Sequence, residues 1–297
     1  MTVTAPTVEV ALVRSSPQVA PEREADLSSC YRASILIAVL LLSAAGAGLL
    51  GIYRDNDWVT SQLRGQDFVS LVFAVPLLLV STNLARRGSI RAQLVWLGAI
   101  GYVVYSYLYI FAIAWNEMFL VYLGLLVVST LTLIRALTLI DVTKIWASFS
   151  GTTPTRSVAR FLTGFGVILG SMWGLQAIVA TVTGEIPASV ISSGHPTAVV
   201  FILDLGLVAP LFLIGGHLLR KGRPWGFVLG GILLIKGIAE GLALLGMALF
   251  MHMAKHPDFD VALVPLWALV ALASTYLSFR FLGAINRSSS TLSVERG

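Results

Sequence analysis

Cysteine is nearly absent from this chain: Cys30 is the only one in 297 residues. One thiol excludes an intrachain disulfide and leaves no thiolate metal site to build. Its place just before the first apolar run permits lipid attachment, with an inert thiol as the plainer alternative. Charge is scarce as well, at 12% of residues where a soluble domain carries about a quarter. Nucleotide and hydrolase signatures are missing: there is no Walker loop, zincin motif, nucleophile elbow or dinucleotide fingerprint. That argues against NTPase-driven or standard hydrolase chemistry, and the reading leans away from an enzyme. No two histidines fall at matching depth inside apolar runs, which disfavours haem.

Apolar residues take the place of the missing charge. They make up 57% of the chain, and the mean hydropathy is +0.86. Eight runs reach the length of about 20 residues needed to cross a hydrocarbon core of about 30 Å: 33–53, 67–84, 92–114, 118–139, 159–182, 197–219, 225–250 and 261–283. The predicted fold is therefore all-α, a polytopic membrane bundle of eight transmembrane helices. Sixteen of the 20 Lys and Arg residues fall on one side of it, including Arg86, Arg87, Lys144, Arg220 and Lys221. The positive-inside rule makes that side, with both termini, cytoplasmic. The basic excess therefore sets orientation, and nucleic acid is not an expected partner.

Residues 1–32 hold Pro6, Pro17 and Pro21 among mixed charges and are expected to be a disordered cytoplasmic tail. "SAAGAG" (43–48) resembles a signal-peptidase site, but the apolar run continues past it, so an uncleaved first span is expected. Residues 286–297 read as a cytoplasmic C-terminal tail. Abundant Ala, Gly and Leu with little Lys are the composition of a GC-rich bacterial source, which implies a plasma membrane.

Two stretches of 14 residues match without gaps at an offset of 134. "PLLLVSTNLARRGS" (Pro76–Ser89) and "PLFLIGGHLLRKGR" (Pro210–Arg223) are identical at six positions. Each sets a mid-span proline ten residues before a basic turn. A duplication is expected, with repeat 1 at 33–140, a cytoplasmic linker at 141–158 and repeat 2 at 159–285. An even number of spans per copy makes the repeats parallel, as in some transporters. Each proline removes a backbone donor and crowds the carbonyl four residues earlier. Broken helices at matching places in two halves point to a binding site between them.

Three ionisable residues stand inside apolar runs: Asp204, Lys236 and Glu240. Burying one such charge costs about 2.5–3.5 kcal/mol on insertion scales, so they need partners or a wet cavity. Counted from the cytoplasmic ends, they lie within roughly 6 Å of one level. Lys before Glu is the poorer order for a helical pair, so Lys236 is expected to pair mainly with Asp204. The face bearing them flanks a stripe of Gly226, Gly230, Gly237 and Gly241, which points it into the bundle. Either the trio works on a ligand or it locks two helices together.

Tyr102, Tyr105 and Tyr109 share a face of the third run, as interface anchors or as the wall of a cavity. Asp67 is read as the outer mouth of the second span or as a cap. His252 and His256, four apart with Asp258 and Asp260 following, are a candidate outer-face metal site that lacks a third ligand of diagnostic spacing; no other cofactor is implied. The first functional expectation is a secondary transporter or permeation pathway for an ion or small solute, with protons involved and Asp204, Lys236, Glu240, Tyr105, Tyr109 and Asp67 as binding residues. An intramembrane enzyme or binding protein for a lipid-like molecule is the second, and a non-catalytic assembly subunit the third.

Overall fold

A computed structural model describes residues 19–286. The remainder of both predicted tails, 1–18 and 287–297, lies outside the described residues. Twelve α-helices are described. The first six are α1 (Val19–Leu49), α2 (Asp57–Val69), α3 (Val75–Arg86), α4 (Ile90–Leu108), α5 (Phe119–Leu139) and α6 (Val142–Ala147). They are followed by α7 (Thr155–Thr183), α8 (Ala188–Ser193), α9 (Val199–Leu203), α10 (Ala209–Arg220), α11 (Pro224–Met253) and α12 (Val264–Gly283). The described part is all-helical, with a lone bridge between Phe149 and Ile285 as its only strand-like pairing.

Seven helical segments among the described residues are long and apolar enough to cross a membrane, where eight spans were expected. The exception is α4. It forms in place, capped by Ser89, whose hydroxyl accepts from the Ala92 amide. Arg91, Gln93, Tyr102, Tyr105 and Tyr107 dilute its apolarity, yet it is among the most buried helices of the bundle. Two boundaries also move. The second segment begins at Asp57, ten residues before the expected start, because Asn56 caps α2 and a partly polar helix packs Val59, Leu63 and Gly65 inward. At the N-terminus α1 starts at Val19, so 19–32 is helical where a disordered tail was expected. Asp26 there pairs with Arg135 at 2.6 Å, and Cys30 is only 2% exposed, which closes the lipidation option.

The two matching 14-residue stretches adopt the same backbone. In each, a π-helical turn precedes the proline-bearing helix: Ser70–Ala74 before α3, and Asp204–Val208 before α10. The amides of Val75 and Ala209 reach back five residues to the carbonyls of Ser70 and Asp204. This wider turn makes room for the ring of Pro76 or Pro210 in the ladder. Both helices then end alike. Gly88 (φ +86°) and Gly222 (φ +67°) take the left-handed conformation that favours glycine, while the next amides return to Leu84 and Leu218. The offset of 134 also relates the ends of α1 and α7 and the starts of α4 and α11. It becomes 145 between α5 and α12, because α11 has 30 residues where α4 has 19.

Packing places α11 at the centre, against α2, α4, α10 and α12. Its Val228, Ile232, Ala239 and Ala243 join a core built on α1–α5, and its Leu233 and Leu234 join another built on α7, α10 and α12. Glycine permits the closest approaches. A Cβ on Gly65 would come within 2.3 Å of the Gly246 carbonyl oxygen, so α2 and α11 cross backbone to backbone. Of the expected stripe, Gly237 faces Ser274 and Gly241 faces Ala271 of α12, while Gly226 meets the backbone of Leu218 and Leu219 on α10.

Candidate functional site

Asp204 is the first residue of the π-helical turn between α9 and α10, and it is 7% exposed. The Tyr105 hydroxyl of α4 donates to its Oδ1 at 2.6 Å, and the Trp173 indole of α7 donates to its Oδ2 at 2.8 Å. Lys236, on α11, is 8% exposed and donates to Glu240 Oε2 at 3.0 Å. Its ammonium also lies 3.8 Å from the centroid of the Tyr105 ring. Tyr105 therefore joins the two halves of the site: its face holds the cation and its hydroxyl holds the carboxylate. Lys236 was expected to pair mainly with Asp204, and here it does not. The two are separated by the ring, and the helical i, i+4 pair forms despite its poorer order.

The other expected residues fall elsewhere. Tyr109 leaves α4 in a 3₁₀ turn, and its hydroxyl lies 3.5 Å from His195 Nδ1 in the loop after α8. Burial depresses the His195 pKa below its ordinary value, against the opposing pull of Asp55. Asp67 is neither a cap nor part of the trio's site. It is buried within α2, where it accepts from the Tyr53 hydroxyl at 2.6 Å against Gly48, a residue whose missing side chain leaves it room. His252 packs on Phe259, and His256 Nδ1 accepts from the Asp258 amide. No three histidine or acidic side chains converge on a metal position among the described residues.

Two features of the site were not expected from the sequence. Trp173 is one, since nothing in an apolar run marks which tryptophan reaches a carboxylate. The second was legible. Subtracting 134 from Asp204, Lys236 and Glu240 gives Ser70, Tyr102 and Ser106, all buried in the first half. The Ser70 and Tyr102 hydroxyls lie 3.2 Å apart, at the π-helical turn that matches Asp204's. One half thus holds a neutral Ser/Tyr/Ser set where the other holds Asp/Lys/Glu. With all three ionised, the charged set carries a net −1. The chain matches no protein-family model, no curated protein and no solved structure.

Proposed function

We propose that this is a multi-pass carrier for an ion or small solute, coupled to proton uptake at Asp204, Lys236 and Glu240, with Tyr105 as the link between them. The carrying observation is the neutral counterpart set. The same positions of a similar helical arrangement are filled by Ser70, Tyr102 and Ser106, so docking these helices does not require ions. Buried charges that the packing does not need, kept despite their desolvation cost, are best explained by work done with them. Their place supports this too, because Asp204 opens a π-helical turn, a form of irregularity frequent at functional sites.

In this reading α4 is the eighth span. Its 19 residues rise about 28 Å, close to the hydrocarbon thickness. The halves are parallel repeats about an axis along the membrane normal, with both termini on the basic, cytoplasmic side of a plasma membrane. Protonation of the centre on one side and release on the other would exchange a proton against a bound solute. The bond between Asp204 and Tyr105 spans the two halves, so its making and breaking is the step that ties occupancy to their relative position.

A screen for solute-dependent proton movement tests this. Proteoliposomes enclosing a pH-sensitive dye are challenged with panels of organic acids, amines and inorganic ions. The parent protein is expected to give solute-dependent pH changes. Tyr105→Phe should lower them by about tenfold or more, as loss of a hydrogen bond to a charged group commonly does. Asp204→Ser/Lys236→Tyr/Glu240→Ser, which installs the first half's residues, should fold and give none. Full flux from that triple variant would overturn the proposal.

A further inference from the structure

The duplication makes each half a control for the other, and they differ most visibly at one gap. In the first half α1 and α5 pack on each other, and Cys30 of α1 and Leu125 of α5 are both buried. The corresponding positions of the second half, at offsets of 134 and 145, are Gly164 and Val270. There α7 and α12 stand apart, leaving a cleft of about 280 Å³. Its wall is apolar, formed by Phe161, Phe165 and Leu169 of α7 with Trp267 of α12. Arg160 is the only charged residue in it. A Cβ on Gly164 would meet nothing within 4 Å, so the opening is real space along α7.

Position and charge together define an occupant. From Arg160 to Met172 the cleft follows α7 for about 18 Å, close to the depth of one leaflet, which is half of a core about 30 Å thick. Arg160 lies near the end of α7 that follows the linker, and it makes no ion pair among the described residues. A guanidinium at the membrane surface above an apolar groove is complementary to a phosphate attached to an acyl chain. A water-soluble ligand would find no polar partner along the groove.

We propose that the α7–α12 cleft binds one anionic phospholipid of the leaflet on the linker side, with its phosphate on Arg160 and an acyl chain along Phe161, Phe165 and Leu169. The deep end is Met172, next to Trp173, whose indole holds Asp204. The lipid tail therefore ends one residue from a ligand of the buried centre. The site is distinct from that centre and does not depend on it carrying a solute.

Native mass spectrometry of the full chain, delipidated and then titrated with phosphatidylglycerol or phosphatidylcholine of the same acyl composition, tests this. One phosphatidylglycerol should be retained, at least about tenfold more tightly than phosphatidylcholine, as expected for a charge-assisted contact. Arg160→Gln, at an exposed position, should abolish that preference. Gly164→Leu and, independently, Ala273→Phe should fill the groove and remove retention of both lipids. Glycerol phosphate in excess should not displace the bound lipid, since it lacks the chain. Equal retention of both lipids by the parent, or unchanged phosphatidylglycerol binding in Arg160→Gln, would overturn the headgroup assignment. Unchanged binding in whichever groove-filling variant folds would overturn the site. Failure of the carrier reading would leave these outcomes as they are.

Discussion

Lys236 and Glu240 have side chains 11% and 19% exposed, so Glu240 is mainly solvated by Lys236, and Lys236 by Glu240 and the Tyr105 ring. In such a setting the two ways of perturbing a pair differ sharply. Removing one partner strands a charge and costs about 3–5 kcal/mol, whereas replacing both with apolar residues is often neutral. Lys236→Met is therefore expected to lower thermal stability by that order, and Lys236→Met/Glu240→Leu to recover most of it. Thermal unfolding in a fixed detergent measures both. If the double variant is no more stable than the single one, Glu240 is not relying on Lys236, and the ion pair carries less of the local energy than its geometry implies. The residues of the pair were legible in the sequence, because ionisable groups in an apolar run stand out. Their partners were not. Tyr105 and Trp173 approach from α4 and α7, and only packing selects which aromatic ring meets which charge.

Between elements, the crossing of α2 and α11 leaves almost no room. Gly65 and Gly246 each face the other's carbonyl, at 2.3 Å and 2.6 Å from where a Cβ would lie, and neither backbone can give way as a flexible side chain would. Gly65→Ala should force the helices apart and cost about 1–3 kcal/mol, the usual range for overpacking. Gly46→Ala on α1 meets nothing within 4 Å and should be neutral or slightly stabilising. Comparing the two melting temperatures isolates the crossing from helix propensity. An equal response would mean that this contact is not tight. Neither Gly65 nor Gly246 stands out in the sequence, where the visible stripes are Gly226–Gly241 on α11 and Gly166–Gly174 on α7. The stripes do pack, Gly226 on α10, Gly237 and Gly241 on α12, and Gly166 and Gly170 on α10, but the α2–α11 crossing is made by two glycines in different helices. Periodicity within one helix does not report a pair formed across two.

Across the whole molecule, contacts gather the loops into two ends. Arg91 donates to the carbonyls of Gly283 and Ile285, and Arg135 pairs with Asp26, at the end rich in basic residues. At the opposite end Arg54 pairs with Glu117, Asn56 donates to the Ser192 carbonyl, and Ser192 donates to Asp258. Cysteines placed at Thr152 and at Glu185, both exposed, should react with an impermeant maleimide from opposite faces of the membrane in a Cys30→Ser background. Labelling from one face only would remove the eight-span topology and with it the place of α4. Buried Cys30 should contribute little signal even before its replacement.

Helix class, membrane character, the division of basic residues and the offset of 134 all follow from the order of residues, because each depends on composition or spacing along a single chain. A run of about 20 apolar side chains is lipid-compatible whatever it later touches, and a proline in the middle of a run removes one of its ladder hydrogen bonds. The tertiary structure decided the rest. It gave a central place to α4, whose polar residues keep it outside the seven apolar segments, and it set Tyr105 between a lysine and an aspartate. It also buried Asp67 against Tyr53, away from the trio, and left α7 and α12 apart where α1 and α5 meet. Each of these is a relation between residues distant in sequence, fixed by shape and by the need of buried polar groups for partners, and none is written in the order of a single segment.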